Sequence, residues 1–105
     1  MKLSDKRCAP CEAGTPPLSP AEIKKYLREL RGWKLIEGIR ITKDYKFKSF
    51  PDTMAFVNRV ALIAQEEGHH PDMKVSYSRV TVEFSTHAIN GLSENDFILA
   101  AKIDS

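Results

Sequence analysis

The chain has 105 residues, 42% of them hydrophobic and 29% charged, which is the size and balance of one soluble domain around one core. Its 16 basic and 14 acidic residues leave a net charge of +2 with no block of like charge, so it carries no electrostatic footprint for nucleic acid. No apolar stretch approaches the roughly 20 residues needed to span a membrane, and no secretory apolar region follows the start, so the cytoplasm is the expected compartment.

Residues 1–17 hold Pro, Gly and Cys without periodicity and read as an extended N-terminal arm, ahead of a single domain over 18–105. The two cysteines, Cys8 and Cys11, form one Cys-x-x-Cys. A structural zinc site needs four Cys or His ligands, and no second pair exists. A redox motif opens a helix after a strand, and neither flanks this one. Two spare thiols are the plain expectation, and a metal shared between subunits is the alternative.

The first helix starts at Leu18-Ser19-Pro20-Ala21-Glu22-Ile23. Ser19 caps, Pro20 fits the first helical position, and Glu22 closes a capping box. Leu18 and Ile23 are spaced for a hydrophobic staple. Ile23, Leu27 and Leu30 form the apolar stripe, and Gly32 is the expected stop. A hairpin follows, Trp33 to Leu35 against Ile39 to Phe47. A turn over Ile36-Glu37-Gly38 sets Trp33 opposite Ile41 and Leu35 opposite Ile39. The long helix spans Ser49 to Gly68, with Ser49 and Asp52 as a capping pair and Gly68 as its stop. Glu66 and Glu67 read as a solvated helix end.

The second hairpin pairs Met73, Val75 and Tyr77 with Val80, Val82 and Phe84. A two-residue turn at Ser78-Arg79 predicts Tyr77 opposite Val80, Val75 opposite Val82, and Lys74 opposite Glu83 as an ion pair. Extending that register places His70 opposite His87 on the polar face. A third helix begins at Leu92-Ser93-Glu94-Asn95-Asp96-Phe97, with Ser93 as cap and Asp96 at the box position, and runs to about Ile103. The order αββαββα implies an α+β fold: a four-stranded antiparallel sheet with three helices packed on one face and the histidines with the polar residues on the other. The uncovered sheet edges make pairing between subunits an expectation.

All three histidines fall in two runs, Glu67-Gly68-His69-His70-Pro71 and Ser85-Thr86-His87. Imidazole gives or takes a proton near neutral pH. Three of them in one pocket suit elimination of water from a small molecule. They also suit a metal, although neighbours in a strand point to opposite faces, which makes His69 and His70 awkward joint ligands. A purely structural role at a helix end is the third possibility. Asp96 is accounted for by capping alone.

These residues together resemble the pterin-4a-carbinolamine dehydratase family from about Leu18 to Ile103. The likeness is carried by His69-His70-Pro71, the Tyr77 to Phe84 hairpin, and Ser85-Thr86-His87 followed by Gly91-Leu92-Ser93 and Asp96. It implies a cofactor-free, metal-free dehydratase acting on a small-molecule pterin, 4a-hydroxytetrahydrobiopterin, in tetrahydrobiopterin recycling. By the same likeness His69, His70, His87 and Asp96 match the catalytic residues. Gly68, His69, His70, Ser85, Thr86, His87 and Ala88 match the substrate-contacting segments. His70 and His87 are expected to flank the substrate, with His69 assisting. The family also implies a homodimer or a homotetramer.

Three positions depart from the animal pattern: Met73 stands where a tryptophan is expected, Gln65 replaces a glutamate, and Gly68 replaces an aspartate. Two other readings remain at this point. Animal relatives also resemble a dimerisation cofactor for a helical transcription-factor partner. A relative acting on a molybdenum-cofactor-type pterin is the third.

Overall fold

The computed structural model describes residues 2–10 and 14–105. The chain forms α1 (Pro20–Leu27), β1 (Lys34–Ile36), β2 (Arg40–Lys46), α2 (Phe50–Glu67), β3 (Asp72–Val75), β4 (Arg79–Phe84) and α3 (Glu94–Asp104). The expected αββαββα order therefore holds. All strand pairs are antiparallel, in the order β1-β2-β4-β3.

One core unites sheet and helices. Ile41, Val80, Val82 and Phe84 from the sheet pack with Ile23 of α1, Val60 and Ala64 of α2, and Phe97 and Leu99 of α3. Burying each of the larger side chains contributes about 1.5–3 kcal/mol. Thr42, Asp44, Thr81 and Glu83 occupy the alternate positions of β2 and β4, where Thr42 pairs with Glu83 and Asp44 with Thr81. The Thr81 hydroxyl donates to Asp44 at 2.6 Å.

Local signals set the helix starts. Ser19 accepts from the Glu22 amide at 3.2 Å while Glu22 accepts from the Ser19 amide at 2.9 Å, a complete capping box. The Ser49 hydroxyl accepts from the Asp52 amide. Gly68 ends α2 at φ 69°, a left-handed position that glycine adopts without a Cβ penalty. The first helix stops earlier than Gly32. After Leu27 the chain tightens into i→i−3 bonds, Glu29 to Tyr26 and Leu30 to Leu27.

Both hairpins close two steps away from the expected register. In the first, Leu35 faces Ile41 and Ile36 faces Arg40. Glu37 and Gly38 both have positive φ, so they are the centre of the turn and Ile39 joins the loop. Trp33 stays outside the ladder; its indole N–H donates to Asp104 at 2.9 Å and its ring packs on Phe84. In the second hairpin Val75 faces Val80, Met73 faces Val82, and Asp72, not Lys74, faces Glu83. Tyr77 has left the ladder: its carbonyl accepts from the Thr53 hydroxyl and its ring stacks on Phe50. The Ser78 carbonyl accepts from the Phe47 amide instead of a partner in β3. Lys74 therefore lies opposite Thr81, and Glu83 pairs with Arg40 across the sheet at 3.4 Å.

The N-terminal segment is no free arm. Leu3 sits in a single 3-10 turn, Leu3–Asp5, and is 3% exposed within the core. Lys102 of α3 donates to the Ser4 carbonyl at 3.0 Å. Cys8 is half-buried, and Cys11 lies outside the described residues. No described helix is long and apolar enough to cross a membrane.

Candidate active site

The ends of three segments meet beside the open end of the β3–β4 hairpin. After Gly68 turns the chain out of α2, His69 and His70 follow at once. Beyond β4, Ser85 and Thr86 lead into a short 3-10 turn, His87–Ile89. An isolated bridge, Thr86 to Gly91, closes that loop. These residues border a cleft of about 540 Å³ lined by Gly68, His69, His70, Ser85, Thr86, His87 and Ala88. Every position expected to contact substrate is therefore in one place.

The route to that convergence differs from the expected one. His70 does not face His87 in the ladder, because β3 begins only at Asp72 and β4 ends at Phe84. Nor does His69 lie on the polar face of the sheet. Its ring stacks on Phe84, a core residue, at 6.1 Å between centroids and 12° between planes. It points to the start of α3.

There Asp96 is fully buried, with 0% exposure. Its Oδ1 lies 2.6 Å from His69 Nε2. Its Oδ2 accepts from the Thr86 hydroxyl at 2.8 Å and from the Ser93 amide at 3.0 Å. The second of these is the acidic half of the expected cap, so one carboxylate both starts α3 and fixes an imidazole. A buried carboxylate needs this many donors to offset its lost hydration. With Nε2 committed to Asp96, His69 keeps Nδ1 for other chemistry. His70 is more exposed, and its Nε2 lies 3.1 Å from Gln65 Oε1. The His87 ring is exposed, and Ser85 beside it is half-buried. Met73 packs against the core and does not line this cleft.

Local sequence patterns gave no hint of the remaining wall, made by Cys8, Ala9, Pro10, Glu67 and Asn95. Glu67 is not solvated. Its side chain is 6% exposed and accepts from the Cys8 amide at 2.8 Å. Arg7 Nε lies 2.9 Å from it and Lys102 Nζ 4.0 Å. Burial, helped by the Glu67 charge, pushes the Cys8 thiol up to about 12, so the thiol is neutral at physiological pH. The ties from Cys8 to Glu67 and from Ala9 to Asn95 span 59 and 86 residues of sequence, a range over which helix and strand periodicity carry no signal. Among the described residues, no three His, Cys, Asp or Glu side chains are grouped so as to share a metal ion.

The chain also resembles known proteins along most of its length. The sequence model of the family Pterin 4 alpha carbinolamine dehydratase matches residues 16–105. A protein of Nitrosospira multiformis, provisionally named pterin-4-alpha-carbinolamine dehydratase, is 54% identical over 98% of this chain and 90% of its own. A solved structure described as a transcriptional coactivator/pterin dehydratase from Brucella melitensis superposes with a TM-score of 0.79. It is 37% identical and covers 84% of this chain and 95% of that one. A pterin dehydratase-like protein described as a RuBisCO assembly factor of the alpha-carboxysome shares the fold, with a TM-score of 0.60 at 22% identity. That match covers 70% of this chain and 87% of the other.

Proposed function

The chain belongs to the pterin 4 alpha carbinolamine dehydratase family, a family of hydro-lyases, and from that premise we propose that it dehydrates 4a-hydroxytetrahydrobiopterin by histidine acid–base catalysis. The observation that carries this reading is the convergence of His69, His70 and His87 on one cleft, with Asp96 buried behind the first.

The reaction breaks the C4a–O bond and forms a C4a=N5 double bond. Hydroxide is a poor leaving group, so a general acid gives the hydroxyl its proton and water departs. The N5 lone pair supplies the new bond, and the N5 proton passes to a general base. The products are water and quinonoid dihydropterin, and the atoms balance with no cofactor. Each positioned proton transfer contributes about 10²–10⁴-fold to rate. His70 and His87, from the two runs that line the cleft, flank the C4a–N5 edge. His69, oriented by Asp96, assists between them. Return of the product to the tetrahydro form would then complete recycling of the pterin.

The test is turnover of freshly generated 4a-hydroxytetrahydropterin by the wild type and by His69→Ala, His70→Ala and His87→Ala. Each substitution is expected to lower kcat by about 10²-fold or more. Full turnover without His87 overturns the assignment of the flanking pair.

A second reading, docking of a helical partner, is favoured by one observation: Leu62 on α2 is 68% exposed. That apolar position, with Leu35 and Val75 on the two edge strands, suits a homodimer or homotetramer. Sedimentation of wild type against Leu62→Glu separates the two: an unchanged oligomer would leave the helix free for a different partner.

A further inference from the structure

The segment Cys8-Ala9-Pro10 forms one side of the histidine cleft, yet it lies ahead of the family match, which begins at residue 16. It is held by a pair of bonds of the kind made between neighbouring strands. Asn95, only 8% exposed, accepts from the Ala9 amide through Oδ1 at 3.0 Å and donates through Nδ2 to the Ala9 carbonyl at 2.6 Å. One residue earlier, the Cys8 amide donates to Glu67. Both anchors adjoin the proton-carrying groups: Glu67 is followed by Gly68-His69-His70, and Asn95 precedes Asp96. Among the described residues, the wall they hold carries no unpaired charge. The thiol of Cys8 is held protonated, Ala9 and Pro10 are apolar, and Glu67 is matched by Arg7 and Lys102.

We infer that Cys8-Ala9-Pro10, pinned by Asn95, is a specificity-determining wall of the cleft that contacts the neutral substituent of a bound pterin. The inference rests on the pterin reading of the cleft. The reacting C4a–N5 edge belongs with the histidines, on the walls made by residues 68–70 and 85–88. C6 adjoins N5, so its substituent leaves the reacting edge and needs a further wall to rest on. A neutral, largely apolar surface favours a neutral side chain and offers an anionic one no partner. None of the three histidines belongs to this wall, so it acts on binding and leaves the chemical step alone.

Two variants loosen the wall while leaving Leu3 in the core. Asn95→Ala removes both side-chain bonds. Ala9→Pro removes the Ala9 amide donor, keeps the carbonyl acceptor, and fixes the backbone φ there. Each is compared with wild type for its melting temperature and for fluorescence-quench binding of 7,8-dihydrobiopterin and 6-methyl-7,8-dihydropterin. Turnover of the matching 4a-hydroxytetrahydropterins is measured alongside. Both variants are expected to weaken binding of the longer-chained pterin by about tenfold and that of the methyl pterin by less, with kcat unchanged. Equal affinity of wild type and both variants for both pterins overturns the inference, as does a loss confined to kcat. Turnover judges the dehydratase reading separately: wild type that binds pterin with the expected preference but does not dehydrate it leaves the wall in place and removes the reaction. Wild type that binds neither pterin overturns both.

Discussion

His69 Nε2 lies 2.6 Å from Oδ1 of Asp96, and that carboxylate is wholly shut off from solvent. The pair joins the end of α2 to the start of α3, so the cap of one helix fixes the imidazole that follows another. Its Oδ2 is equally committed, to Thr86 and Ser93. Three donors thus converge on one anion, and each loses if the charge goes.

The first prediction follows. Asp96→Asn keeps the shape but brings an amide N–H₂ against a donor, whichever way the amide turns. Stability is expected to fall by about 1–3 kcal/mol, the cost of an unmatched buried polar group. The kcat is expected to fall by about 10²-fold, the lower end of what a positioned proton transfer contributes. Urea denaturation and dehydration kinetics check the two halves. A fall in stability with unchanged kcat would reduce Asp96 to a cap.

The helix starts were legible because each is written within a few residues, as in Ser19 with Glu22 or Ser49 with Asp52. The core was legible because alternation names the buried face. Both hairpin registers were displaced by two positions, and an even slip leaves every side chain on its expected face. Ile41, Val80, Val82 and Phe84 are therefore buried as the pattern required. The slips themselves came from polar ties between distant residues, Trp33 to Asp104 and Thr53 to Tyr77. Strand register does not bring His70 and His87 together, because β3 begins at Asp72 and β4 ends at Phe84; only likeness to the family pointed to their meeting. The wall at Cys8-Ala9-Pro10 was hidden for the same reason as the registers: its partners, Glu67 and Asn95, are far away in sequence.

A second prediction isolates one of those ties. Thr53 is fully buried, and its hydroxyl donates to the Ser49 and Tyr77 carbonyls at 3.0 and 2.9 Å. Thr53→Val keeps the volume and removes the donor. We expect a loss of about 1–2 kcal/mol in chemical denaturation, since the turn loses its attachment to α2. The kinetic constants are expected to stay within about twofold of wild type, because Thr53 does not line the cleft. A matching loss of activity would show the hairpin turn to be coupled to the histidines.

A third prediction concerns the Cys8 thiol, raised from 9.0 to about 12 by burial first and by the neighbouring Glu67 charge second. Alkylation proceeds through the thiolate. In a Cys11→Ser background at about pH 8, Cys8 is expected to react with iodoacetamide roughly 100-fold more slowly than an unstructured thiol. The shift also has a sign for stability. A proton held more tightly in the folded state stabilises it below the ordinary thiol value, and that contribution is lost as pH rises from there through about 12. Unfolding Cys8 with its segment should restore ordinary reactivity. Mass spectrometry of the alkylated peptide over time distinguishes the cases, and fast labelling of the folded wild type contradicts the burial of this thiol.

The last prediction tests how the N-terminal segment is attached at its other end. Lys6 Nζ meets Glu94 Oε2 at 2.7 Å, and the Tyr26 hydroxyl donates to the same oxygen at 2.9 Å. The Lys6 hydrogen bond is the main cause that holds the Glu94 carboxyl below its ordinary value of 4.5; burial opposes it, and the Tyr26 hydrogen bond assists. A depressed carboxyl stabilises the fold above its unfolded value, and the contribution disappears as pH falls through the lower folded value. Wild type is therefore expected to melt above Glu94→Gln near neutral pH, with the gap closing in acid below the ordinary carboxyl value. Both partners are partly exposed, so added salt should narrow the gap at neutral pH. Melting curves across the acid range, at low and high salt, supply the comparison. A gap that persists unchanged into strong acid would assign the stabilisation to packing of the Glu94 side chain and remove the ion pair from the account.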